Sequence, residues 1–357
     1  MKLIQFTPYF PPHVWWVEKV VFDIHNNWNY WKSIVFTSDI WQEKKISDEE
    51  MIVYPAFNIV NNFPFPKFWL PDFWKAIKKL QRNIDSDTRI MTHTRFFYSS
   101  FMWGIFARWN NVQWLHIEHW SAFVDSGNRV VNLCSKAYDL TLWKYCIKKA
   151  NRVLAISKAA KVFLQSTYKR VDIDVWYRGV EFEKHSIQKK WDVLFVYIGR
   201  LTKLKNVSTL VECYKKWDFT QKLIIIWDGE EKIALESQSK WEDIEFLWSI
   251  DNKKIIEFLQ KNKCILINPS LQEWLPTTVI EWLLTRNVVI ATNVWGTSEI
   301  SQYEDLQLYQ VWGIQSLVNH MKNWLENFDT YSGKSYKDLN EKFAMKNSME
   351  NLYNFLK

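Results

Sequence analysis

Short apolar segments alternate with longer amphipathic segments along almost the whole chain, in two separate series. The first series of apolar runs begins at residues 2–6 and ends at residues 152–156, and the second extends from residues 192–198 to residues 288–291. Segments with the apolar spacing of helices lie between these runs. Alternating strands and helices predict parallel sheets with crossover helices on their faces. We therefore expect an α/β protein with two doubly wound, Rossmann-like domains.

The polar segment 181–190 separates the two series and is the best candidate for a linker. It predicts an N-terminal domain over residues 1–180 and a C-terminal domain over residues 181–330. Residues 331–357 are expected to form a helical tail that is free to pack back on the N-terminal domain. Because ligands of doubly wound sheets bind at the carboxyl ends of the strands, we expect the ligand between the two halves.

The composition excludes several classes of protein. The four cysteines are widely spaced and no apolar run reaches about 18 residues, so neither a disulfide scaffold nor a membrane-spanning helix is expected. Prolines interrupt the N-terminal segment, which therefore does not resemble a signal peptide. The net charge of +7 is too diffuse to indicate nucleic acid. We expect a cytoplasmic protein whose amphipathic segments, 74–82 and 142–149, allow peripheral docking on an anionic inner membrane face.

Tryptophan is abnormally frequent and glycine abnormally rare. The chain has 23 Trp and 8 Gly, whereas average usage predicts about 25 glycines. Trp15 and Trp16 occupy the loop after the first strand, and Trp28 follows a predicted helix at a position that favours glycine. An indole with positive φ is a steric outlier. We therefore expect about 18 of these tryptophans to be UGA codons that the source organism reads as glycine. Trp69, Trp74 and Trp114 are expected to be genuine.

The segment 268–300 carries the chemistry that the sequence makes most specific. A strand ends at its start, a loop contains Glu273, and a helix begins near Pro276, Thr277 and Thr278 and includes Glu281. Proline suits the first turn of a helix and threonine can cap it. The free N–H groups and the positive end of such a helix favour an anion such as a diphosphate. The two carboxylates can accept hydrogen bonds from sugar hydroxyls.

This segment resembles the E-x7-E signature of the retaining glycosyltransferase family 4. With glycine at positions 274 and 295, it reads E-G-L-P-T-T-V-I-E followed by A-T-N-V-G-G-T-S-E. The sequence departs from the family pattern at Asn287-Val288 and at Trp282. The resemblance implies the GT-B fold, in which two Rossmann-like domains enclose an interdomain cleft. It also implies that Glu273 holds the donor sugar hydroxyls and that Glu281 holds the ribose hydroxyls.

Further motifs resemble the donor-binding loops of the same family. The segment 197–206 resembles the G-R-L-x-x-x-K-G/N loop, which implies that Arg200 and Lys205 bind the donor diphosphate. Segments 11–17, 227–230 and 246–250 resemble three other family loops. The donor-binding residues implied in this way are Trp15, Trp16, Arg200, Lys205, Trp227, Leu247, Ile250, Glu273, Trp274, Leu275, Pro276, Thr277, Thr278 and Glu281.

The segment 115–120 in the N-terminal half resembles the family pattern H-x-x-H-G. By this resemblance His119 contacts the donor sugar beside the reacting carbon. The expected catalytic residues are therefore Glu273, His119, Arg200 and Lys205. His93, His116 and Glu118 are expected to lie on the acceptor side.

The resulting interpretation is a retaining enzyme that moves a hexose-type sugar from a nucleotide-diphosphate sugar, such as a UDP-sugar, to a hydroxyl of a glycan or lipid-linked acceptor in cell-surface polysaccharide synthesis. No metal and no cofactor is expected, since Arg200, Lys205 and the helix end at Thr277 take the electrostatic role of a metal. Nucleic acid is not expected as a partner.

Three alternatives remain open. A nucleotide-sugar epimerase of the same fold would convert a UDP-sugar without an acceptor. A non-catalytic binding module would leave the cellular glycan unchanged when Glu273 is replaced by alanine. A dinucleotide oxidoreductase is suggested by the α/β pattern alone, but the sequence has no G-x-G-x-x-G motif even with glycines restored.

Overall fold

The computed structural model describes residues 1–11, 16–40, 50–60, 63–95, 97–124, 127–182, 189–190, 192–217, 219–226, 228–238, 243–247, 252–273 and 275–357. The chain divides into two compact units. The first comprises Met1–Gly179 and Met345–Lys357, and the second comprises Val180–Ala344.

The first unit is built on a parallel sheet of seven strands in the order β3-β2-β1-β6-β7-β8-β9, with β4 and β5 forming a separate antiparallel pair. Its elements are β1 (Lys2–Phe6), α1 (Trp16–Asn27), β2 (Lys32–Ser38), β3 (Met51–Tyr54), β4 (Ala56–Val60), β5 (Phe63–Pro66), α2 (Pro71–Arg82), β6 (Thr88–His93), α3 (Tyr98–Trp109), β7 (Gln113–Glu118), α4 (Arg129–Tyr138), α5 (Lys144–Lys149), β8 (Arg152–Ala155), α6 (Lys158–Tyr168) and β9 (Ile173–Val175). A π-helical segment, Asp139–Trp143, joins α4 to α5.

The second unit is built on a parallel sheet of six strands in the order β12-β11-β10-β13-β14-β15. Its elements are β10 (Val193–Ile198), α7 (Val207–Lys216), β11 (Leu223–Ile226), α8 (Lys232–Gln238), β12 (Ile244–Leu247), α9 (Asn252–Lys261), β13 (Lys263–Asn268), α10 (Thr277–Leu284), β14 (Val288–Thr292), β15 (Leu306–Tyr309), α11 (Ile314–Tyr331) and α12 (Tyr336–Phe343). The strand order reverses direction between β10 and β13, which is where doubly wound sheets bind ligands.

Both sheets are covered on their two faces, which explains why their central strands are continuously apolar. In the first unit Ile4, Phe6 and Phe36 are buried within one cluster, and in the second Ile225, Ile265 and Ile290 are buried within another. These runs are the ones that predicted the strands. The sequence interpretation omitted the antiparallel pair β4 and β5, and it omitted β3, β9 and β15, which lie at sheet edges and contain three or four residues each.

The C-terminal segment is divided between the two units. A helical tail over residues 331–357, free to pack back on the N-terminal domain, was expected. Its last helix, α13 (Met345–Leu356), belongs to the first unit, whereas α12, which ends at Phe343, belongs to the second. Trp176 Nε1 donates to the carbonyl of Ser348 at 3.0 Å, and Ser348 Oγ donates to the carbonyl of Tyr177 at 2.8 Å. The Tyr30 and Tyr353 rings stack with centroids 4.2 Å apart. These contacts attach α13 to the first unit.

The backbone conformations of the tryptophans correct one expectation. Trp28 follows α1 but does not have the positive φ expected there, and among the described residues Trp312 is the tryptophan with positive φ, at 68°. A bulky side chain in this conformation is strained, whereas glycine adopts it freely. Of the tryptophans that the structure describes, Trp312 is therefore the one whose backbone most favours glycine.

Candidate active site

The loops that follow β10 and β13 lie side by side at the switch point of the second unit, which is the place where the strand order of its sheet reverses. Leu271 donates its backbone N–H to the carbonyl of Leu204 at 2.8 Å, and Asn206 Nδ2 donates to the carbonyl of Pro269 at 3.3 Å. Asn206 has a φ of 53°, a left-handed conformation that asparagine tolerates better than most residues. These bonds hold the 203–205 helical turn against the loop that contains Glu273.

Glu273 and Lys205 form a close ion pair between these two loops. Lys205 Nζ lies 2.6 Å from Glu273 Oε1, and Asn268 Nδ2 donates to the same oxygen at 3.2 Å. Glu273 is 9% exposed, and its carbonyl accepts from the N–H of Gly296 at 3.1 Å. Ser270 Oγ donates to Asn268 Oδ1 at 2.6 Å. The carboxylate is thus held in one place, with Oε2 left to accept from a ligand hydroxyl.

Helix α10 begins immediately after this loop. Pro276 is its N-cap, and no side chain accepts a hydrogen bond from the first turn. The expectation that a threonine caps the helix is therefore wrong, since Thr277 is already its first residue. The N–H of Thr277 donates to the carbonyl of Leu275 at 2.8 Å, so the N–H groups of Thr278 and Val279 and the positive end of the helix dipole remain available to an anion. Glu281 lies one turn further along, half-buried.

Arg200 follows β10 and is exposed. The buried Tyr197 hydroxyl donates to the carbonyl of Arg200 at 3.0 Å and so fixes the backbone there. The next turn of the chain packs closely on this loop: a Cβ at Gly229 would lie 2.3 Å from the carbonyl oxygen of Leu201, which only glycine avoids. Leu201 also accepts from the N–H of Glu231 at 3.0 Å.

A small pocket is lined in part by residues of the loops that follow β10 and β13. Its volume is about 180 Å³, and its lining residues are Leu204, Leu271, Gln272, Val294 and Trp295. Leu204 and Gln272 are the chain neighbours of Lys205 and Glu273. The Trp295 indole is 49% exposed. The pocket is smaller than the 300–1,000 Å³ that is usual for ligand sites.

The first unit contains a second group of predicted residues, all buried. His93 ends β6, and His116 and Glu118 lie on β7, which pairs with β6. His119 follows β7 directly. His116 Nδ1 lies 3.0 Å from Thr92 Oγ1, and His93 Nδ1 lies 3.4 Å from His119 Nε2. The four side chains are therefore brought together at the carboxyl ends of two neighbouring strands.

Arg95 and Asp139 complete this cluster, and the sequence interpretation missed both. Arg95 Nη1 lies 3.2 Å from Glu118 Oε1, and Arg95 Nε donates to Asp139 Oδ2 at 3.1 Å. Arg95 also donates to the carbonyl of Ala122. Burial is the largest single influence on Glu118 and acts to raise its pKa, but the charge of Arg95 together with the contacts of His116 and His119 outweighs it and lowers this pKa from 4.5 to about 2. The only sequence signal for Arg95 was its place two residues after a strand.

Two family models match the chain. The model described as glycosyltransferase family 4 matches residues 17–184, and the model described as glycosyl transferases group 1 matches residues 180–342. An uncharacterized glycosyltransferase of Methanocaldococcus jannaschii is 30% identical over 327 residues, which are 84% of this chain and 83% of that protein. The chain belongs to glycosyltransferase family 4.

Other relatives of this glycosyltransferase agree with the assignment. The O-antigen chain mannosyltransferase RfbU of Salmonella typhimurium is 26% identical over 168 residues, which are 44% of this chain and 47% of that protein. The solved structure of Anabaena HepE in complex with UDP and glucose matches with a TM-score of 0.73 at 14% identity, covering 100% of this chain and 99% of that one. The expected GT-B fold, with two Rossmann-like parallel-sheet domains, is confirmed.

The structure of the glycosyltransferase places the expected donor-binding residues in three groups. Lys205, Glu273 and the start of α10 lie together at one switch point, with Arg200 on the same loop as Lys205. Leu247 ends β12, and Trp16 begins α1, where Arg178 lies over its ring at 4.7 Å. Four expected residues lie outside the described part of the chain: Trp15, Trp227, Ile250 and Trp274.

Within the described ranges, no helix combines the length and the apolar character needed to cross a membrane. The same part of the chain has no group of three or more His, Cys, Asp or Glu side chains placed to hold a metal ion.

The buried histidines predict that acid destabilises the glycosyltransferase. Burial lowers the pKa of His93 well below 6.5 and that of His119 to about 3, so the unfolded chain binds protons that the folded chain does not. The neutral histidines make their full contribution to the free energy of unfolding above pH 6.5. This contribution decreases as the pH falls towards 3, by at most about 1.4 kcal/mol per pH unit for each histidine. Chemical denaturation between pH 7 and 4 measures it. We expect a shallower slope for His119→Asn, and equal slopes would contradict this account.

Proposed function

We propose that this enzyme is a retaining glycosyltransferase that moves a hexose-type sugar from a UDP-sugar to a hydroxyl of a glycan or lipid-linked acceptor in cell-surface polysaccharide synthesis. The observation that carries the proposal is the Lys205–Glu273 pair beside the uncapped start of α10. This arrangement places positive groups and a carboxylate that accepts hydrogen bonds within one loop cluster. The positive groups match the anionic diphosphate of a nucleotide sugar, and the carboxylate matches the hydroxyls of its sugar.

The donor diphosphate would bind to the first-turn N–H groups of α10, with Arg200 and Lys205 neutralising its charge. Glu273 Oε2 would accept hydrogen bonds from the sugar hydroxyls, while Oε1 stays bonded to Lys205 and Asn268. Glu281, further along the same helix, would accept from the ribose hydroxyls. His119 of the first unit would contact the donor sugar near the reacting carbon.

The chemistry follows from where charge develops. As the glycosidic bond breaks, negative charge collects on the departing phosphate, and fixed positive groups stabilise it without reorganisation. The departing phosphate would take the proton of the acceptor hydroxyl, which then attacks from the same face and retains the anomeric configuration. Arg200, Lys205 and the α10 terminus supply the electrostatic role that a metal has in other transferases, so we propose that the enzyme needs neither a metal nor a cofactor.

Two comparisons support the choice of donor and pathway. HepE was solved with UDP and glucose, and the RfbU relative is a mannosyltransferase of O-antigen chains. A thermal-shift screen of UDP-, GDP- and ADP-sugars, with glycine at positions 274 and 295, tests the donor. We expect stabilisation by a UDP-sugar and transfer to an added acceptor with retention. Epimerised sugar formed without acceptor, or no stabilisation by any nucleotide sugar, would contradict the proposal.

We also propose that the enzyme docks on an anionic membrane surface through residues 129–149, here called the docking helix. None of the residues of α4 is buried, and Val130 and Leu133 are 69% and 70% exposed. Cys134 and Ala137 extend the same exposed stripe. The basic residues of the docking helix are Arg129, Lys136, Lys144, Lys148 and Lys149. Its acid, Asp139, is buried against Arg95. An apolar stripe flanked by cations complements anionic lipid and would repel a second copy of itself.

Leu133→Glu is expected to weaken binding to phosphatidylglycerol vesicles at least about 10-fold, because it removes apolar contact and adds a repelled charge. Vesicle flotation at low and high salt measures the effect. Val162→Glu is the matched control, since Val162 is 63% exposed on α6 of the same unit. Wild-type protein that does not float with anionic vesicles, or equal effects of the two variants, would refute docking by this helix.

A further inference from the structure

Two buried histidine rings face each other in the first unit. His93 ends β6 and His119 follows β7, and these strands are parallel neighbours. His93 Nδ1 lies 3.4 Å from His119 Nε2, with the ring planes tilted by 41°. Both side chains are almost completely removed from solvent. The contact is a long hydrogen bond in which one ring donates and the other accepts.

The outer nitrogen of each ring is unsatisfied. Among the described residues, His93 Nε2 and His119 Nδ1 are buried without a hydrogen-bond partner. An unpaired buried polar atom costs about 1–3 kcal/mol. The two free nitrogens lie at opposite ends of one hydrogen-bonded pair, so a polar group of a ligand that reached either end would complete the pair.

The two rings are coupled through the proton they share. Burial keeps both neutral at pH 7, and a neutral imidazole has one N–H and one acceptor nitrogen. If His93 Nδ1 donates to His119 Nε2, then His119 Nδ1 carries a hydrogen and His93 Nε2 does not. If the direction reverses, both assignments reverse. The two rings therefore always adopt the same tautomer, and their free ends always have opposite roles.

The backbone that carries His119 is fixed separately. Glu118 Oε1 accepts from the N–H groups of His119 and Trp120, both at 3.0 Å. Thr94, next to His93, has a φ of 51°, which is strained for a β-branched residue by about 1–3 kcal/mol. Its hydroxyl donates to Glu118 Oε1 at 3.4 Å. These contacts hold the main chain but do not bond the His119 ring. The orientation and the tautomer of the ring therefore depend on its hydrogen bond with His93.

We propose that His93 is a positioning residue for sugar transfer, which orients the His119 ring and sets the protonation of its Nδ1. This inference rests on the proposed function, in which His119 contacts the donor sugar. It gives His93 a role through His119 rather than the contact with the acceptor that was expected from the sequence. A hydroxyl of the donor sugar then meets a donor or an acceptor at His119 Nδ1 according to the direction of the hydrogen bond from His93.

Nitrogen NMR of the wild-type protein with 15N-labelled histidine tests the pairing without any substrate. At pH 7 we expect the His93 and His119 rings to be neutral and to share one tautomer. Opposite tautomers in the two rings, or a charged ring, would overturn the proposal. In His93→Leu the His119 ring is expected to become a mixture of tautomers, whereas His320→Asn, on α11 of the second unit, leaves the His119 nitrogen signals unchanged.

Kinetics separate positioning from a merely structural role. We expect His93→Leu to lower kcat at least about 10-fold, with a smaller change in KM for the donor. A misoriented His119 ring stabilises the transition state less than a correctly oriented one. His93→Asn keeps a polar group near the position of Nδ1 and should restore kcat to within about 3-fold of wild type. Wild-type kcat in a folded His93→Leu protein, or equal losses in both variants, would overturn the proposal. Wild-type protein without transferase activity contradicts the proposed function instead, while the NMR result still decides the pairing.

Discussion

Replacement of Glu273 by glutamine is expected to lower kcat for sugar transfer about 100-fold. Glutamine keeps the size of the side chain but removes the negative charge that accepts hydrogen bonds from Lys205 and Asn268. Hydrogen bonds to a charged acceptor are about twice as strong as neutral ones, so the sugar loses its firmest hydroxyl contact. The Lys205 ammonium also loses the partner that holds it at the diphosphate.

The fold should survive this change, which makes the effect on kcat informative. Lys205 is partly exposed, so its charge remains solvated when the carboxylate is removed. Glu304→Gln is the matched control: Glu304 forms an exposed ion pair with Lys334 at 2.8 Å in the same unit. Initial-rate kinetics with a nucleotide sugar should show near wild-type kcat for the control. A Glu273→Gln enzyme as active as the control would refute the role of Glu273.

Replacing Trp274 and Trp295 together by glycine is expected to tighten binding of the nucleotide sugar at least about 10-fold. The pocket beside the ion pair holds about 180 Å³, and the Trp295 indole forms part of its wall. A nucleotide sugar needs a site in the usual range of 300–1,000 Å³. Removing the indole enlarges the pocket beside the Lys205–Glu273 pair.

Isothermal titration of the nucleotide sugar into the double variant, and into the protein with tryptophan at both positions, measures this gain. Trp69→Gly serves as the control, because Trp69 is exposed in the first unit and is expected to be genuine. Equal or weaker binding by the double variant would contradict the idea that glycine is native at these positions. Mass spectrometry of the protein from its source organism tests the same idea independently, since indole masses at both positions would end it.

The indole N–H groups add a structural criterion for which tryptophans are native. Trp28, Trp103 and Trp143 are buried, and among the described residues their Nε1 atoms have no partner. In contrast, the Nε1 atoms of three other buried tryptophans donate to Thr92 Oγ1, to the Ser348 carbonyl and to the Val289 carbonyl; these tryptophans are Trp114, Trp176 and Trp324. Because a buried indole usually finds a partner, the bonded Nε1 atoms of the second three favour tryptophan as the native residue there.

The sequence predicted the central strands because both faces of a parallel sheet are buried, which leaves a continuous apolar run such as that of β13. It did not predict β3, β4, β5, β9 and β15, since strands of three to five residues contain few positions in which to show a pattern; β12, an edge strand of four residues, was predicted. The sequence also did not predict that α12 and α13 belong to different units, because an amphipathic helix has the same pattern whichever unit it packs against.

The candidate site shows the same limit. Arg95 and Asp139 lie 44 residues apart, and nothing in their local sequence indicates that packing brings them to the two sides of one buried ion cluster. Lys205 and Glu273 lie 68 residues apart and were paired in advance only through the resemblance to family loops. Local pattern thus predicts elements, whereas contacts between distant side chains depend on how those elements pack.

Hydrogen exchange with and without a UDP-sugar tests the central claim most directly, because it locates the bound donor on the chain. The account predicts that the donor slows exchange in residues 199–206 and in residues 269–281, the two loops joined by Lys205 and Glu273 together with the first turns of α10. Stabilised protein in which both segments exchange at unchanged rates would contradict it.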